Sequence, residues 1–288
     1  MVNVNIRVAT INDFENIYCL ITKVHNTGNN VKANWENLLK KHWCKKEDIL
    51  GYVLTSDYNI EGYLGTIFSY RVVDDKLHKF CNLTTWVVSE NYRKYSIQLL
   101  FKILTLRNIT FTAFTPSKTA NIIYSNLGFK KIENEIVIIP FYINYKFLMH
   151  QCIIEYNKNV IITMLGNNEA VIFNDHLNYD CIYFLLKELD NTCLVIGKRV
   201  KIKQIPFVRI HYISNKSMFN CKYKLVCHKV SIKYRIFGMI IDNRYLNSSN
   251  LSNLLIRRKL AYPTMYKSDI NMINDIDSLY SEYFLLNI

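Results

Sequence analysis

FCNLTTWVVSENYRKYSIQLL, from Phe80 to Leu100, is the stretch that decides how the rest of the chain is read. Phe80 to Val88 is rich in β-branched and aromatic residues, which is strand composition, and Ser89, Glu90 and Asn91 form a short polar turn. Beyond the turn, Ile97, Leu100, Phe101 and Leu104 recur at i, i+3, i+4 and i+7, one face of a helix. A strand that runs into a helix start brings unpaired backbone N–H groups and the positive dipole end to one spot, where an anion such as a pyrophosphate fits. Arg93 and Lys94 add full charge there. Such strand-turn-helix units with a basic first turn are also ordinary scaffold in α/β proteins, so this stretch alone names no function.

The addition that decides lies downstream. After a short strand, Thr110 to Thr115, comes TPSKTANIIYSNLGFKKIE, in which Ala120, Ile123, Tyr124 and Leu127 share a helix face. Gly128 stands where a helix C-cap glycine belongs, and Phe129 opens another strand. Taken together, WVVSENYRKYSIQLL (Trp86 to Leu100) and NIIYSNLGF (Asn121 to Phe129) resemble the GNAT superfamily of acyl-CoA-dependent N-acyltransferases, over about residues 3 to 140. In that family a strand ending in Val and an Arg/Gln-x-x-Gly-x-Gly/Ala turn open the central helix, and a later helix and strand complete the cofactor site.

The resemblance implies an α/β (α+β) fold with a central mixed, mostly antiparallel sheet flanked by helices. It implies that the strand end at Trp86, Val87 and Val88 pairs by backbone with pantetheine. The turn of Arg93, Lys94, Tyr95, Ser96, Ile97 and Gln98 would cradle the pyrophosphate, and Asn121 would meet the pantetheine arm. Tyr124 would protonate the departing thiolate, within reach of a phenol despite its ordinary pKa of about 10. The chain departs from the family at the phosphate turn. Arg93 matches, but the two glycine positions hold Ser96 and Gln98, with the bulk of Tyr95 beside them, and a side chain obstructs the close approach that glycine permits.

Taken in order, Asn5 to Ile11 reads as a strand, and Asn12 as the cap of a helix with Glu15 completing a capping box. Phe14, Ile17, Tyr18, Ile21 and Val24 form that helix's stripe. A second helix, Ala33 to Lys45, follows the Thr27-Gly28-Asn29-Asn30 turn, and Trp35, His42 and Trp43 on it are either core or pocket lining. Leu50 to Ser56 and Ile60 to Val73 form a hairpin around Asp57-Tyr58-Asn59, with Gly62 and Gly65 as bulge positions. The resulting order, β-α-α-β-β-β-α-β-α-β, comes from periodicity and agrees with the GNAT arrangement.

From Pro140 onward the resemblance fades, so the chain divides into residues 1–140, a GNAT-like acyl-CoA-binding domain, and 141–288, an α+β domain that shapes the acceptor side. Tyr145 to Glu155 and Val160 to Leu165 read as strands, Leu177 to Leu189 as a helix, and Cys193 to Tyr212 as a hairpin interrupted near Lys203 to Pro206. A basic segment, Cys221 to Lys233, precedes a strand from Phe237 to Asp242, and Ser249 to Lys259 and Asp275 to Leu286 read as helices. That order faintly mirrors the first half. It is read as a degenerate second GNAT-like unit without the phosphate turn, or as a strand-rich accessory domain.

Composition sets the outer bounds. The 288 residues are half hydrophobic with a mean hydropathy of 0.00, neither disordered nor membrane-like, and no window holds 18 uncharged apolar residues. The N-terminus lacks a signal-peptide pattern, so the expected location is the cytoplasm, with no membrane partner. Net charge is +13, and residues 1–150, with 18 basic and 12 acidic residues, carry +6 of it. An even spread argues against a nucleic-acid arm, while a basic face suits CoA phosphates or an anionic acceptor. The eight cysteines show no CxxC pair, Cys221-x5-Cys227-His228 is a poor zinc spacing, and no metal is expected.

The expected activity is transfer of an acyl group, acetyl first, from acetyl-CoA or another acyl-CoA to an amine or hydroxyl of a small molecule, sugar or protein. The attack is direct, in a ternary complex. Asp74, Asp75, His78 and Glu61 are weak candidates for a general base, Thr84 and Thr85 could hold a water, and none is named. Two alternatives stand beside this reading: a CoA-binding or CoA-sensing protein without catalysis, motivated by Ser96 and Gln98, and a tandem-GNAT transferase that uses an aminoacyl-tRNA donor. No Gly-x-Ser-x-Gly elbow or P-loop supports a hydrolase or NTPase. The acceptor and the oligomeric state are not legible.

Overall fold

The structure, a computed structural model, describes residues 4–24, 32–40, 43–132, 135–141, 152–246, 255–270, 273 and 275–286. The chain forms two compact units that are not consecutive in sequence. The first is Met1–Ile132 with Tyr262–Asp275 and Tyr280–Ile288, and the second is Glu133–Ala261 with Ile276–Leu279. A single cut at residue 140 therefore differs from the observed division at both ends, because the chain leaves the first unit before that point and returns to it later.

In the first unit, β1 (Val4–Val8) leads through a 3-10 turn into α1 (Phe14–Val24). Asp13, rather than Asn12 or Glu15, organises this helix start: its carboxylate accepts from the Thr10 N–H at 2.8 Å and from the Arg7 guanidinium at 2.6 and 2.7 Å. The buried stripe is Phe14, Ile17, Leu20 and Ile21, so Leu20 replaces Tyr18 and Val24 of the expected set. α2 (Lys32–Asn37) is a short helix, far from the expected span to Lys45. Trp35 and Trp43 are half-buried, and His42 and the 27–30 turn lie outside the described residues.

β2 (Gly51–Ser56) and β3 (Asn59–Val73) form the expected hairpin, with Asp57 and Tyr58 left-handed at φ 47° and 69°, as a tight two-residue turn requires. β4 (Lys76–Val88) follows, and the ladder slips beside both glycines, between Leu54 and Thr55 and between Tyr63 and Gly65. α3 (Ser96–Leu104) buries Leu99, Leu100 and Ile103, while Phe101 is 49% exposed. The helix is thus turned by about one residue step, ~100°, from the face that the sequence spacing indicated.

β5 (Ile109–Ala113) runs parallel to β4, and α4 (Lys118–Asn126) ends in the expected glycine. Gly128 has φ 81°, Phe129 N–H donates to Tyr124 O, and Gly128 N–H donates to Ser125 O, a Schellman closure sealed by the Tyr124–Phe129 ring contact at 4.9 Å. β6 (Lys130–Lys131) and the late strand β14 (Met265–Lys267) finish the sheet, in the order β1-β2-β3-β4-β5-β14-β6. α8 (Glu282–Leu285) belongs to the same unit.

In the second unit, β7 (Glu135–Pro140) is followed by β8 (Ile153–Glu155), α5 (Lys158–Met164), α6 (Asn167–His176), β9 (Ile182–Glu188), β10 (Asn191–Ile202) and β11 (Ile205–Ile213). Then come α7 (Lys216–Tyr234), β12 (Gly238–Asp242) and β13 (Ile256–Lys259). Four expectations change here. Val160–Leu165 is helical, with Asn157 capping it at Asn159 N (3.0 Å), and the helix expected at Leu177–Leu189 is strand from Ile182. Residues 256–259 are strand rather than helix, and only Glu282–Leu285 of the tail is helical. Of the strand expected from Tyr145, residues 145–151 lie outside the described residues.

The second sheet runs β8-β9-β10-β11-β12-β7-β13, and among the described residues only the β11–β12 pair is parallel. This repeats the first sheet strand for strand: two helices between its first two strands, a meander of three, one helix, then a parallel partner. The faint mirror in element order is a topological repeat.

Candidate functional site

The site is built where β4 and β5 part. Their parallel register runs from Lys79 opposite Ile109 to Asn82 opposite Thr112, and β5 ends at Ala113. β4 continues to Val88 on β3 alone, so among the described residues its other edge from Leu83 to Val88 pairs with no strand. An unpaired stretch of central strand leaves backbone donors and acceptors for another partner. Thr85 sits at this bulge in a left-handed conformation, φ 51°. Val87 and Val88 bury their side chains, and Trp86 stacks on Tyr124 with ring centres 5.8 Å apart. The Trp86 Nε1 donor is buried and has no hydrogen-bond partner.

The phosphate turn differs from expectation. Glu90–Tyr95 is wound into a 3-10 helix that continues into α3, and the Ser96 N–H donates to Arg93 O. Without the two glycines the chain at Ser96 and Gln98 winds helically, and the Ser96 amide is drawn into the winding. What faces solvent is side chain: Arg93, 67% exposed and 3.8 Å from Glu90, and Lys94 over the Tyr95 ring. Ser96, Tyr95 and Ile97 are half-buried and Gln98 is exposed.

Tyr124 is buried, and desolvation is the main reason its phenol titrates above its ordinary range, with the nearby Glu282 carboxyl adding to it. Asn121 uses its amide structurally, donating from Nδ2 to Pro263 O at 3.1 Å, which ties α4 to the returning chain. The pantetheine role that the resemblance implies for Asn121 therefore competes with an existing bond.

Glu282, on α8, is the residue the sequence did not point to. It is 1% exposed; its Oε2 accepts from Asn82 Nδ2 and its Oε1 from Thr115 Oγ1 at 2.5 Å. Asn82 is in the last parallel pair before the strands part, and Thr115 lies two residues past β5. Burial raises the Glu282 carboxyl above the usual carboxylate range, and the hydrogen bonds from Thr115 and Asn82 pull the other way. Both of these side-chain donors are neutral.

Strand alternation gives the side. Cys81 and Leu83 join Leu99, Leu100, Ile103 and Tyr124 in one core, so Asn82 between them points to the opposite face, where α1 packs on β3 and β4. α8 packs against α2 there, with Asn34 Nδ2 donating to Leu286 O at 3.3 Å and Trp43 edge-on to Tyr280 at 5.1 Å. A cavity of about 640 Å³ lined by Val8, Ala9, Ile11, Leu39 and Leu50 opens at the end of β1 and β2.

Among the weak base candidates, Asp74 and Asp75 form the exposed β3–β4 turn, and His78 lies on β4 four residues before Asn82, so all three are away from the parting strands. Glu61 accepts from Ser89 Oγ at 2.5 Å. Thr84 and Thr85 are at the site, their hydroxyls 3.2 Å apart.

No protein-family model matches the sequence, and no curated protein matches it. Solved structures do. A GCN5-related N-acetyltransferase from Kribbella flavida aligns at TM-score 0.62 and 9% identity, over 92% of this chain and 71% of that one. A GCN5-related N-acetyltransferase from Anabaena variabilis aligns at 0.55 and 10%, over 92% and 72%. This chain has the GNAT fold. A Saccharomyces cerevisiae N-myristoyltransferase with bound myristoyl-CoA also aligns, at 0.52 and 10%, over 96% of this chain and 89% of that one.

The second unit repeats the strand order of the GNAT fold but builds its helix start differently. Asn215 Oδ1 accepts from Met218 N at 2.9 Å, so a side chain already serves the α7 terminus, and the neighbouring Ser214 Oγ accepts from Leu194 N of β10 at 2.9 Å. All eight cysteines are free thiols, and Cys227 donates to Ile139 O at 3.4 Å within that unit's core. Among the described residues, no helix is long and apolar enough to cross a membrane.

Proposed function

We propose that the first unit is an acyl-CoA-dependent acyltransferase, acetyl first among its donors. The observation that carries this reading is the unpaired edge of β4 beyond the Asn82–Thr112 pair, beside a basic helix start. The left-over Trp86 Nε1 donor fits an extended, amide-bearing arm lying along that edge. A bound acyl-CoA supplies an activated thioester carbonyl. Trp86, Val87 and Val88 hold the pantetheine by backbone, and Arg93 and Lys94 hold the phosphates by charge, with Tyr95, Ser96, Ile97 and Gln98 forming the surface between. Tyr124 keeps its proton throughout the neutral range because burial disfavours phenolate, so it is a donor to the leaving sulfur.

The test is calorimetry of acetyl-CoA binding, followed by an acetyl-transfer screen over small amines, aminosugars and peptides with wild type and Tyr124→Phe. Binding retained in Tyr124→Phe with turnover reduced by about 100-fold or more supports the donor role. Absence of acetyl-CoA binding in both proteins removes the cofactor reading. Binding with no turnover of any acceptor favours a CoA sensor, and the reading that motivates it is the filled turn at Ser96 and Gln98. RNase-sensitive activity is the mark of an aminoacyl-tRNA donor.

A further inference from the structure

Counted by halves the charge of the chain is evenly spread, but counted by segment it is not. From Asn191 to Ile241 the sequence holds 11 Lys and Arg and no Asp or Glu, so β10, β11, α7 and most of β12 carry +11, against +13 for the whole chain. The fold gathers part of this charge at one end of the second unit. β10 and β11 are joined by a two-residue turn at Lys203 and Gln204, left-handed at φ 47° and 68°, and their last pair is Ile202 opposite Ile205. The Arg199 guanidinium donates to Tyr234 O at 2.5 Å, so α7 ends near that level of β10. The hairpin runs on for four more residues, about 13 Å, to Lys203. Phe237 lies beside this extension, its N–H donating to Pro206 O at 2.8 Å and its carbonyl accepting from Phe141 N–H at 2.7 Å.

Three large apolar side chains face water at this end: Ile205, Ile232 and Phe237, the last 60% exposed. Single exposed apolar residues are ordinary on protein surfaces, but three of them meet here at the close of one helix and the tip of one hairpin. Phe237 is not on a loose loop either, since its backbone is bonded on both sides. Lys201, Lys203, Lys233 and Arg235 around them are exposed. Among the described residues none of these four forms an ion pair. Asp180, just before β9, acts on Lys198, which strand alternation sets on the face opposite Lys201.

We infer that this end of the second unit is a docking surface for a bilayer rich in anionic phospholipid. Ile205, Ile232 and Phe237 enter the boundary between headgroups and acyl chains, and Lys201, Lys203, Lys233 and Arg235 meet the headgroup phosphates and carboxylates. Unpaired positive charge calls for an anionic partner, and the apolar residues select a bilayer among such partners. Two isoleucines offer a nucleobase no stacking face, whereas a lipid interface rewards their burial. No spanning helix is needed for such a contact, so the expectation of no membrane partner, drawn from the lack of a spanning window, does not bear on it. The surface is made by the second unit alone, and its chemistry is independent of acyl transfer.

The experiment is co-sedimentation of the full chain with vesicles of phosphatidylcholine alone, or with about 30 mol % phosphatidylserine, at low and high salt and without acyl-CoA. Wild type should pellet with the anionic vesicles only, and high salt should weaken that binding. Lys201→Ala with Lys203→Ala should weaken it about 25-fold, and Ile205→Ser with Phe237→Ser about 10-fold or more. Lys130→Ala with Lys131→Ala, an exposed basic pair on β6 of the first unit, should leave it within about twofold. Phe237→Trp reads insertion directly: its fluorescence should be quenched by brominated lipid beyond the quench of wild type. Should the serine pair lower the melting temperature, that quench decides. Equal binding to neutral and anionic vesicles, no binding at low salt, binding unchanged in the lysine pair, or no added quench overturns the proposal. Tighter binding to polyuridylate than to anionic vesicles overturns it in favour of a nucleic-acid surface. None of these outcomes touches the acyltransferase reading, which stands or falls on acetyl-CoA binding.

Discussion

Replacing Arg93 with Ala tests whether the basic turn holds phosphate. Because the Ser96 amide is already bonded to Arg93 O, backbone groups there cannot substitute for a lost side chain. A charge-assisted hydrogen bond to phosphate contributes about 1.5–3 kcal/mol, which is a loss of about 10- to 150-fold in acetyl-CoA affinity. Stability should not follow. Arg93 is 67% exposed and its partner Glu90 is 85% exposed, so the pair contributes at most a few tenths of a kcal/mol and Tm should move by less than about 2 °C. Glu90→Gln removes the competing carboxylate and should tighten binding about two- to fivefold. The assay is titration calorimetry at two salt concentrations with matched thermal melts, and wild type should weaken more steeply with salt than Arg93→Ala. Affinity within about twofold of wild type at low salt refutes the phosphate role.

Leu99→Ala should cost about 2–5 kcal/mol in urea unfolding, because Leu99 is fully buried, whereas Phe101→Gln should cost about 1 kcal/mol or less. The reverse order would return α3 to the face that its spacing suggested. Gly51→Ala should destabilise the protein by about 3 kcal/mol or more, since φ is 125° and a Cβ would lie 2.3 Å from Leu64 O; a melt unchanged from wild type would contradict that backbone. Glu282 has a folded pKa above its unfolded value, so the folded state keeps a proton that the unfolded state loses. Its contribution to stability is present below the unfolded pKa and is lost as pH rises through the folded pKa. Glu282→Gln should therefore gain stability on wild type as pH rises from about 4.5, and a Tm difference independent of pH would argue against burial of the carboxyl.

The first half was legible because its periods are clean. The β2–β3 turn at Asp57 and Tyr58, the ladder irregularities beside Gly62 and Gly65, and the Gly128 closure all follow from local chemistry that one segment carries alone. Where the outcome depended on packing, spacing misled: α3 offers apolar residues on two adjacent faces, and only the sheet chooses Leu99 and Ile103 over Phe101. In the second half, Val160–Leu165 is a short β-branched run that periodicity cannot assign, and Asn157 decides for helix. Ile182–Leu186 is apolar on both faces because both are covered, which hides its strand alternation. The site divides likewise. Trp86 and Tyr124, each named from its own local motif, stack on one another, but Glu282 meets Asn82 and Thr115 across 200 and 167 residues of chain, a separation at which no local pattern speaks.

The return of the chain to its first sheet bears on synthesis. β14 and α8 are made only after Glu133–Ala261 of the second unit, so the growing chain carries β5 with one edge unpaired from the end of β5 until β14 is made. During that interval the first unit can assemble β1 to β5 and its helices, but it lacks both the strand that covers β5 and the carboxyl that fills the gap beside Asn82. Vectorial folding therefore makes the addition of β14 and α8 a late step in the assembly of the first unit. Nascent chains stalled before Met265 should be captured by holdase chaperones, and release of the tail should end that capture.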